Sequence, residues 1–244
     1  MKYLITFSYD GSKFFGYQKQ LNFASVQEKI ENALTKINSN KKVLISASGR
    51  TDAGVHAINQ KAHFIMENKI EKEKLKNSLN KMVKPHIFIK NIEEVNDLFH
   101  ARFNVVKKKY TYKINVGEFN PIEYDYIYQL NKKLDICSML EGIKYFEGEH
   151  DFTSFTKKND EVENFVREIY NTNIEQYDNI IEISFVGNGF LRYMVRNMVG
   201  SLIEIGLGKK NPKEIIEIIE KKDRTKSGIT APSNGLYLMD VYYE

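Results

Sequence analysis

Lys2-Tyr3-Leu4-Ile5-Thr6-Phe7-Ser8-Tyr9, closed by Asp10-Gly11, is the stretch from which the fold can be read. Tyr3, Ile5, Phe7 and Tyr9 recur at every second position, the spacing of a strand with one buried face, and Asp-Gly is turn chemistry. Working outward, Ser25 with Glu28 three residues on makes a capping box, and Val26, Ile30, Leu34 and Ile37 follow at helical spacing. Segments 43–48 and 60–67 read as strands around a glycine-containing loop. Segment 71–83 reads as a helix with Leu75, Leu79, Met82 and Val83 inward, stopped by Pro85, and 87–95 as a further strand.

The same order returns beyond residue 100. Segment 106–116 is strand-like, and 135–146 is a capped helix with Ile136, Met139, Leu140 and Ile143 inward. Segments 167–177 and 180–186 form a hairpin around Asp178-Asn179. A long apolar helix over 190–205, a shorter one opened by Asn211-Pro212 and a last strand over 235–243 complete the chain. Both halves thus read β-α-β-β-α-β, the split-βαβ or ferredoxin-like order of the α+β class, in which helices cover one face of an antiparallel sheet. With a boundary between residues 1–100 and 101–244, two such halves could join edge to edge into one sheet with an open cleft suited to a nucleic acid. A pair of packed α+β domains without such a surface fits the pattern equally.

Composition narrows the function classes. The 244 residues are 42% hydrophobic and 28% charged, values that suit a globular chain and exclude a disordered or collagen-like one. No run of about 18 apolar residues and no signal-peptide core is present, so a cytoplasmic protein is expected, without a membrane partner. Cys137 is the single cysteine and His56, His63, His86, His100 and His150 are scattered, so neither a disulfide nor a metal is expected. The net charge of +4 permits an anionic partner without demanding one. Only six of the 36 basic residues are arginine (Arg50, Arg102, Arg167, Arg192, Arg196 and Arg224), which draws attention to positions where a planar, bidentate donor matters. The polar stretch from Lys157 to Glu161 reads as mobile, either a segment that orders against a bound RNA or a plain surface loop, and the alternating charges Glu71-Lys72-Glu73-Lys74 as a solvated helix face.

The stretch richest in chemistry is Ser48-Gly49-Arg50-Thr51-Asp52-Ala53-Gly54-Val55-His56-Ala57. Two glycines bracket an Arg-x-Asp between strands, which lets the backbone turn tightly and present a carboxylate and a guanidinium on one loop. By itself the pattern also suits an aspartate satisfying its own loop amides.

Taken with the rest of the chain, this stretch resembles the catalytic loop of the tRNA pseudouridine synthase A family. The other segments that carry the resemblance follow in order. They are Tyr9-Asp10-Gly11 with Phe14, Gly16, Gln18, Gln20 and Val26-Gln27; Phe99-His100-Ala101-Arg102-Phe103; and Lys109-Tyr110-Thr111-Tyr112. After them come His150-Asp151-Phe152-Thr153-Ser154-Phe155; Gly187-Asn188-Gly189-Phe190-Leu191 with Met194 to Gly200; and Thr230-Ala231-Pro232 with Gly235 to Leu238. Lys109 stands where the family commonly has arginine, and Tyr17 where it often has another aromatic.

The resemblance implies an isomerase that converts uridines 38, 39 and 40 of the tRNA anticodon stem-loop to pseudouridine, without cofactor or metal, as a homodimer. Asp52 is then the nucleophile, adding either to ribose C1′ or to uracil C6 and leaving later. Tyr110 supplies the face on which the everted uracil stacks, Arg50 helps displace the base and grips the RNA, and Leu236 lines the pocket. Arg196, flanked by the apolar residues of its helix, pairs with the nucleophile and keeps it ionised. RNA contacts are expected at Phe99, His100, Ala101, Arg102 and Phe103, and along a basic track of Lys107, Lys108, Lys109 and Arg167. Taken singly, Tyr110 and Leu236 also read as core, Arg196 as a side chain reaching solvent, and the lysines as ordinary surface. The same isomerisation on ribosomal RNA, or a non-catalytic RNA-binding module, are the alternatives.

Overall fold

The structure, a computed structural model, describes residues 1–157 and 163–244. Apart from Lys157, the polar stretch expected to form a mobile loop lies outside the described residues. Two compact units are formed, residues Met1–Val106 with Tyr237–Glu244, and residues Lys107–Leu236. Each mixes helices with a mostly antiparallel sheet, which is the expected α+β class. Among the described residues, no helix is long and apolar enough to cross a membrane.

The first unit follows the sequence pattern closely. It runs β1 (Lys2–Tyr9), α1 (Val26–Ile37), β2 (Ile45–Ala47), β3 (His56–Ile65), α2 (Lys72–Val83) and β4 (Ile87–Val95). Strand β1 lies between β3 and β4, antiparallel to both, and β2 pairs with β3. Tyr3, Ile5, Phe7 and Tyr9 are all buried, as the two-residue period requires. Ser25 caps α1 by accepting from the Glu28 amide at 3.3 Å. The buried Asn80 ties α2 to β4, donating to the Ile89 carbonyl at 2.9 Å and accepting from its amide at 2.8 Å.

The second unit runs β5 (Lys107–Asn115), β6 (Tyr128–Gln129), α3 (Ile136–Lys144), β7 (Gly148–Asp151), β8 (Val166–Tyr177), β9 (Ile180–Gly187), α4 (Met194–Gly206) and α5 (Glu214–Lys221). Its strands lie in the order β5-β9-β8-β7, with β6 parallel to β5. The hairpin turns at Asp178, whose φ of 51° is the left-handed conformation a tight turn needs. The last strand, β10 (Leu236–Tyr242), pairs in parallel with β3 through Tyr237 and Leu238, and residues Tyr237–Glu244 belong to the first unit.

Four expectations shift. The long helix starts at Met194 instead of residue 190, because Tyr193 takes a left-handed backbone (φ 63°) that interrupts any earlier turn. Strand β3 starts at His56 instead of residue 60, drawn out by its pairing with Tyr237 and Leu238 from the far end of the chain. Strand β2 shrinks to three residues because the Val43 amide donates to the Thr35 hydroxyl at 3.1 Å rather than to a strand. On α3, Met139 and Ile143 are buried, but Leu140 is exposed and Ile136 only half-buried, since one face of a nine-residue helix suffices to cover β8 and α4.

Candidate active site

Local bonding explains why the Ser48 to Val55 loop is rigid. At its entrance the buried Gln60 side chain accepts from the Ser48 hydroxyl at 2.6 Å and donates to the Gly49 carbonyl at 3.1 Å. At its middle the Thr51 hydroxyl bonds Tyr9 Oη at 2.8 Å, and the Thr51 carbonyl accepts from the Tyr17 amide at 3.2 Å. At its exit Asp52 O accepts from the Val55 amide at 3.2 Å, closing a turn through Gly54, whose φ is 80°. Burial pushes the Tyr9 phenol up to about 12, so it stays a neutral hydrogen-bonding post for the loop.

The opening motif of the sequence is the brace for this loop. Gly11 packs so closely that a Cβ there would lie 2.1 Å from the Val55 carbonyl oxygen, and its amide donates to His56 Nδ1 at 3.1 Å. That bond ties the ring of His56 to the opening motif. Gly16 has a φ of 99° and brings its backbone against Thr51. The His56 ring in turn stacks on Tyr237 of β10, with centroids 4.7 Å apart. Asp52 is half-buried on this frame and Arg50 is exposed on its rim.

The Phe99–Phe103 segment forms a turn in the same unit. His100 Nδ1 accepts from the Arg102 amide at 3.1 Å, and its ring stacks on Phe103 at 4.3 Å. Phe99 is half-buried, edge-on to the Tyr243 ring at 5.0 Å. Phe103 and Arg102 are exposed, with the guanidinium 6.0 Å from the Phe103 ring centre. Ala101 is fully buried: its amide donates to His63 Nδ1 at 3.1 Å and its carbonyl accepts from Tyr243 Oη at 2.7 Å. Ala101 therefore anchors the turn, and the surface belongs to its neighbours.

In the second unit, Tyr110 sits in the middle of β5, buried, with Phe190 edge-on at 5.0 Å. Two residues along, Tyr112 Oη donates to the Pro232 carbonyl at 2.7 Å. Arg196 is half-buried near the start of α4; its Nε donates to the Ala231 carbonyl at 2.7 Å, and its backbone carbonyl accepts from the Ala231 amide at 3.1 Å. Burial holds the Tyr112 phenol far above its ordinary value, against the opposing pull of the Arg196 charge. Leu236, buried, follows directly on this tethered segment. The strand of Tyr110, the helix of Arg196 and the segment leading to Leu236 are thus bound into one construction.

The basic residues are less unified. Along β5, Lys107 and Lys109 share a face with Thr111 and Lys113, while Lys108 shares the opposite face with Tyr110, so the three do not line one row. Arg167 on β8 is half-buried, and its Nη1 donates to the Asn164 carbonyl at 3.0 Å and to that of Val166 at 2.5 Å.

Arg224, to which no sequence motif gives a role, is a hub of the structure. Its Nη1 donates to the Ser227 hydroxyl and the Gly228 carbonyl, and its Nη2 to Asn197 Oδ1 and the Thr230 hydroxyl, all within 2.8–3.1 Å. Asn197 adds a 2.6 Å bond to the Phe155 carbonyl. These contacts fix residues 227–231 against α4 beside Arg196. The scarcity of arginine was the one signal in the sequence that singled Arg224 out.

Comparison with known proteins assigns the class. Residues 5–104 and 143–244 match the family model described as tRNA pseudouridine synthase. The chain belongs to that family. Of three similar relatives, two are called tRNA pseudouridine synthase A and one tRNA pseudouridine synthase A 2. The one from Geobacillus sp. (strain WCH70) is 40% identical over 240 residues, covering 98% of this chain and 97% of its own. A second form, tRNA pseudouridine synthase A 2 of Clostridium tetani, is 43% identical over 96% of both chains. That of Caldicellulosiruptor saccharolyticus is 43% identical over 98% of both.

Proposed function

We propose that this chain isomerises neighbouring uridines in the anticodon stem-loop of tRNA to pseudouridine, with Asp52 as nucleophile. The observation that carries the reading is the Ser48 to Val55 loop, in which two glycines and a set of buried brackets hold one half-buried carboxylate in fixed position. Full-length similarity to relatives named for this reaction supports it.

Isomerisation breaks the bond from ribose C1′ to uracil N1 and forms one to C5. Uracil N1 gains a proton, C5 loses one, and nothing is oxidised or reduced. A carboxylate that bonds transiently to the nucleotide and is expelled when the C5 bond has formed satisfies this balance. The uridine must first leave its stack, at a cost of a few kcal/mol, and a base stacked on Tyr110 recovers about 1 to 3 kcal/mol. Arg196, its guanidinium already oriented through the Ala231 carbonyl, is assigned to keep the nucleophile charged. Arg50 on the loop rim, and Phe99, His100, Arg102, Phe103, the lysines of β5 and Arg167, are assigned to the RNA. Leu236 is assigned to the pocket wall. The enzyme is further proposed to act in the cytoplasm as a homodimer, which sedimentation of the purified protein measures directly.

Incubating unmodified tRNA transcripts with the wild type and with Asp52→Asn tests the proposal. Pseudouridine is expected with the first and none with the second, while tRNA binding persists in both. Product in ribosomal RNA but not in tRNA reassigns the substrate, and binding without product from the wild type leaves a non-catalytic module.

A further inference from the structure

A polar cavity lies wholly within the second unit. It is an open cavity of about 830 Å³ lined by Thr153, Thr156, Lys157, Tyr193, Lys222, Asp223, Arg224 and Thr230. That volume suits a ligand the size of a nucleotide and exceeds what an ion or a water cluster needs. Three of its residues are cationic and one is acidic, so it favours an anion. Asp223 is already engaged, accepting from the Thr225 amide at 2.9 Å, and Lys222 approaches Asp151 at 2.9 Å.

Tyr193 forms the aromatic wall, and its backbone is unusual. With φ 63° and ψ −1° it is a bulky residue in the left-handed region, where asparagine or glycine costs less. The guanidinium carbons of Arg192 and Arg196 lie 5.0 and 5.3 Å from its ring centre, and Arg192 Nη2 donates to its hydroxyl at 3.2 Å. The Arg192 carbonyl is pinned by the Thr156 hydroxyl at 2.9 Å, which fixes the whole wall. Arginine and tyrosine here fall between the two parts of the Gly187 to Gly200 motif and take no part in the chemistry assigned above. An aromatic ring held at a backbone cost, flanked by cations and bordering a cavity of nucleotide size, is the equipment of a single-strand stacking site.

We propose that this cavity is a second nucleotide subsite. It takes one unpaired nucleotide of the substrate RNA, with its base against Tyr193 and its phosphate against Lys157. The assignment rests on the reading of the chain as an RNA-modifying enzyme. Because Tyr193 touches Arg196, the occupant is a near neighbour of the target uridine.

The test measures binding of an unmodified tRNA transcript across a salt series, together with steady-state KM, for the wild type, Tyr193→Asn, Tyr193→Phe and Lys157→Ala. Asparagine suits the left-handed backbone, so Tyr193→Asn is expected to melt no lower than the wild type yet to bind tRNA about tenfold more weakly. Tyr193→Phe keeps the ring and is expected within about twofold of wild-type affinity. Lys157→Ala, an exposed change that leaves the core untouched, is expected to reduce the slope of log affinity against log salt by about 0.7 to 0.9 and to raise KM. Wild-type affinity and slope in both Tyr193→Asn and Lys157→Ala overturn the subsite. So does loss of uridine 5′-monophosphate binding in Tyr193→Asn with tRNA affinity intact, since the cavity then serves a free nucleotide. If the wild type binds tRNA but forms no pseudouridine, the catalytic reading fails, and the same affinities still decide the subsite.

Discussion

At the scale of single residues, His63 shows how a buried side chain sets a pH limit. Burial first, then the neighbouring charges of His100 and Lys2, push its pKa down to about 4. Its Nδ1 must stay unprotonated to accept the Ala101 amide that anchors the Phe99–Phe103 turn. The unfolded chain binds this proton near the ordinary value of about 6.5 and the folded chain only near 4, so stability is fully present above about pH 6.5 and falls as pH drops toward 4. Melting temperatures from pH 7 to 4 should therefore decline in the wild type, and decline less in His63→Gln, whose amide oxygen can replace the acceptor. An equal decline in both variants removes His63 as the cause. What the sequence offered at this scale was candidates: Asp52 and Arg50 stand out on their glycine-bracketed loop. Their supports stayed hidden. Tyr9, Gln60 and His56 hold the loop through bonds that depend on how distant segments are folded together, and Arg224 reaches Asn197 in the same non-local way.

At the scale of elements, α4 owes its position to a missing side chain. A Cβ on Gly200 would fall 1.7 Å from the Ile229 carbonyl oxygen, whereas one on Gly142 of α3 would meet only the Ile205 Cδ1 methyl, at 2.9 Å. Alanine gains up to about 1 kcal/mol of helix propensity over glycine, and overpacking against fixed backbone costs about 1 to 3 kcal/mol, so the clash decides the sign. Gly200→Ala should lower the melting temperature by several degrees and depress activity, because it pries α4 from the segment that bonds Arg196. Gly142→Ala should be milder, since a terminal methyl can rotate away. A Gly200→Ala protein as stable and active as the wild type contradicts this packing. Element types were largely legible, because alternating and helical spacings are local signals: β1 and β4 begin and end where their apolar periods do. Boundaries set from afar were not. Nothing near residue 193 announces a left-handed tyrosine, and nothing near His56 announces a parallel partner almost two hundred residues later in sequence.

At the scale of the whole molecule, the chain leaves its first unit at Val106 and returns to it at Tyr237. The returning residues do more than cover an edge. Tyr237 stacks on His56, the Tyr242 carbonyl accepts from the Val106 amide at 2.9 Å, and Tyr243 holds Ala101. Truncation after Leu236 should loosen residues 1–106 selectively, read as faster amide hydrogen exchange at β3 and the Phe99–Phe103 turn, with the hairpin of β8 and β9 still protected. Uniform exchange in both regions counts against the division.

That return path also orders events during synthesis. Multidomain chains commonly acquire structure from the amino terminus as they emerge from the ribosome. Here the segment bearing Asp52 emerges early but waits for residues 236–242 before its closing strand exists. A product that stops before residue 236 therefore carries Asp52 and Arg196 and still lacks the strand that steadies His56, so the first unit is completed only once residues 236–242 have been made.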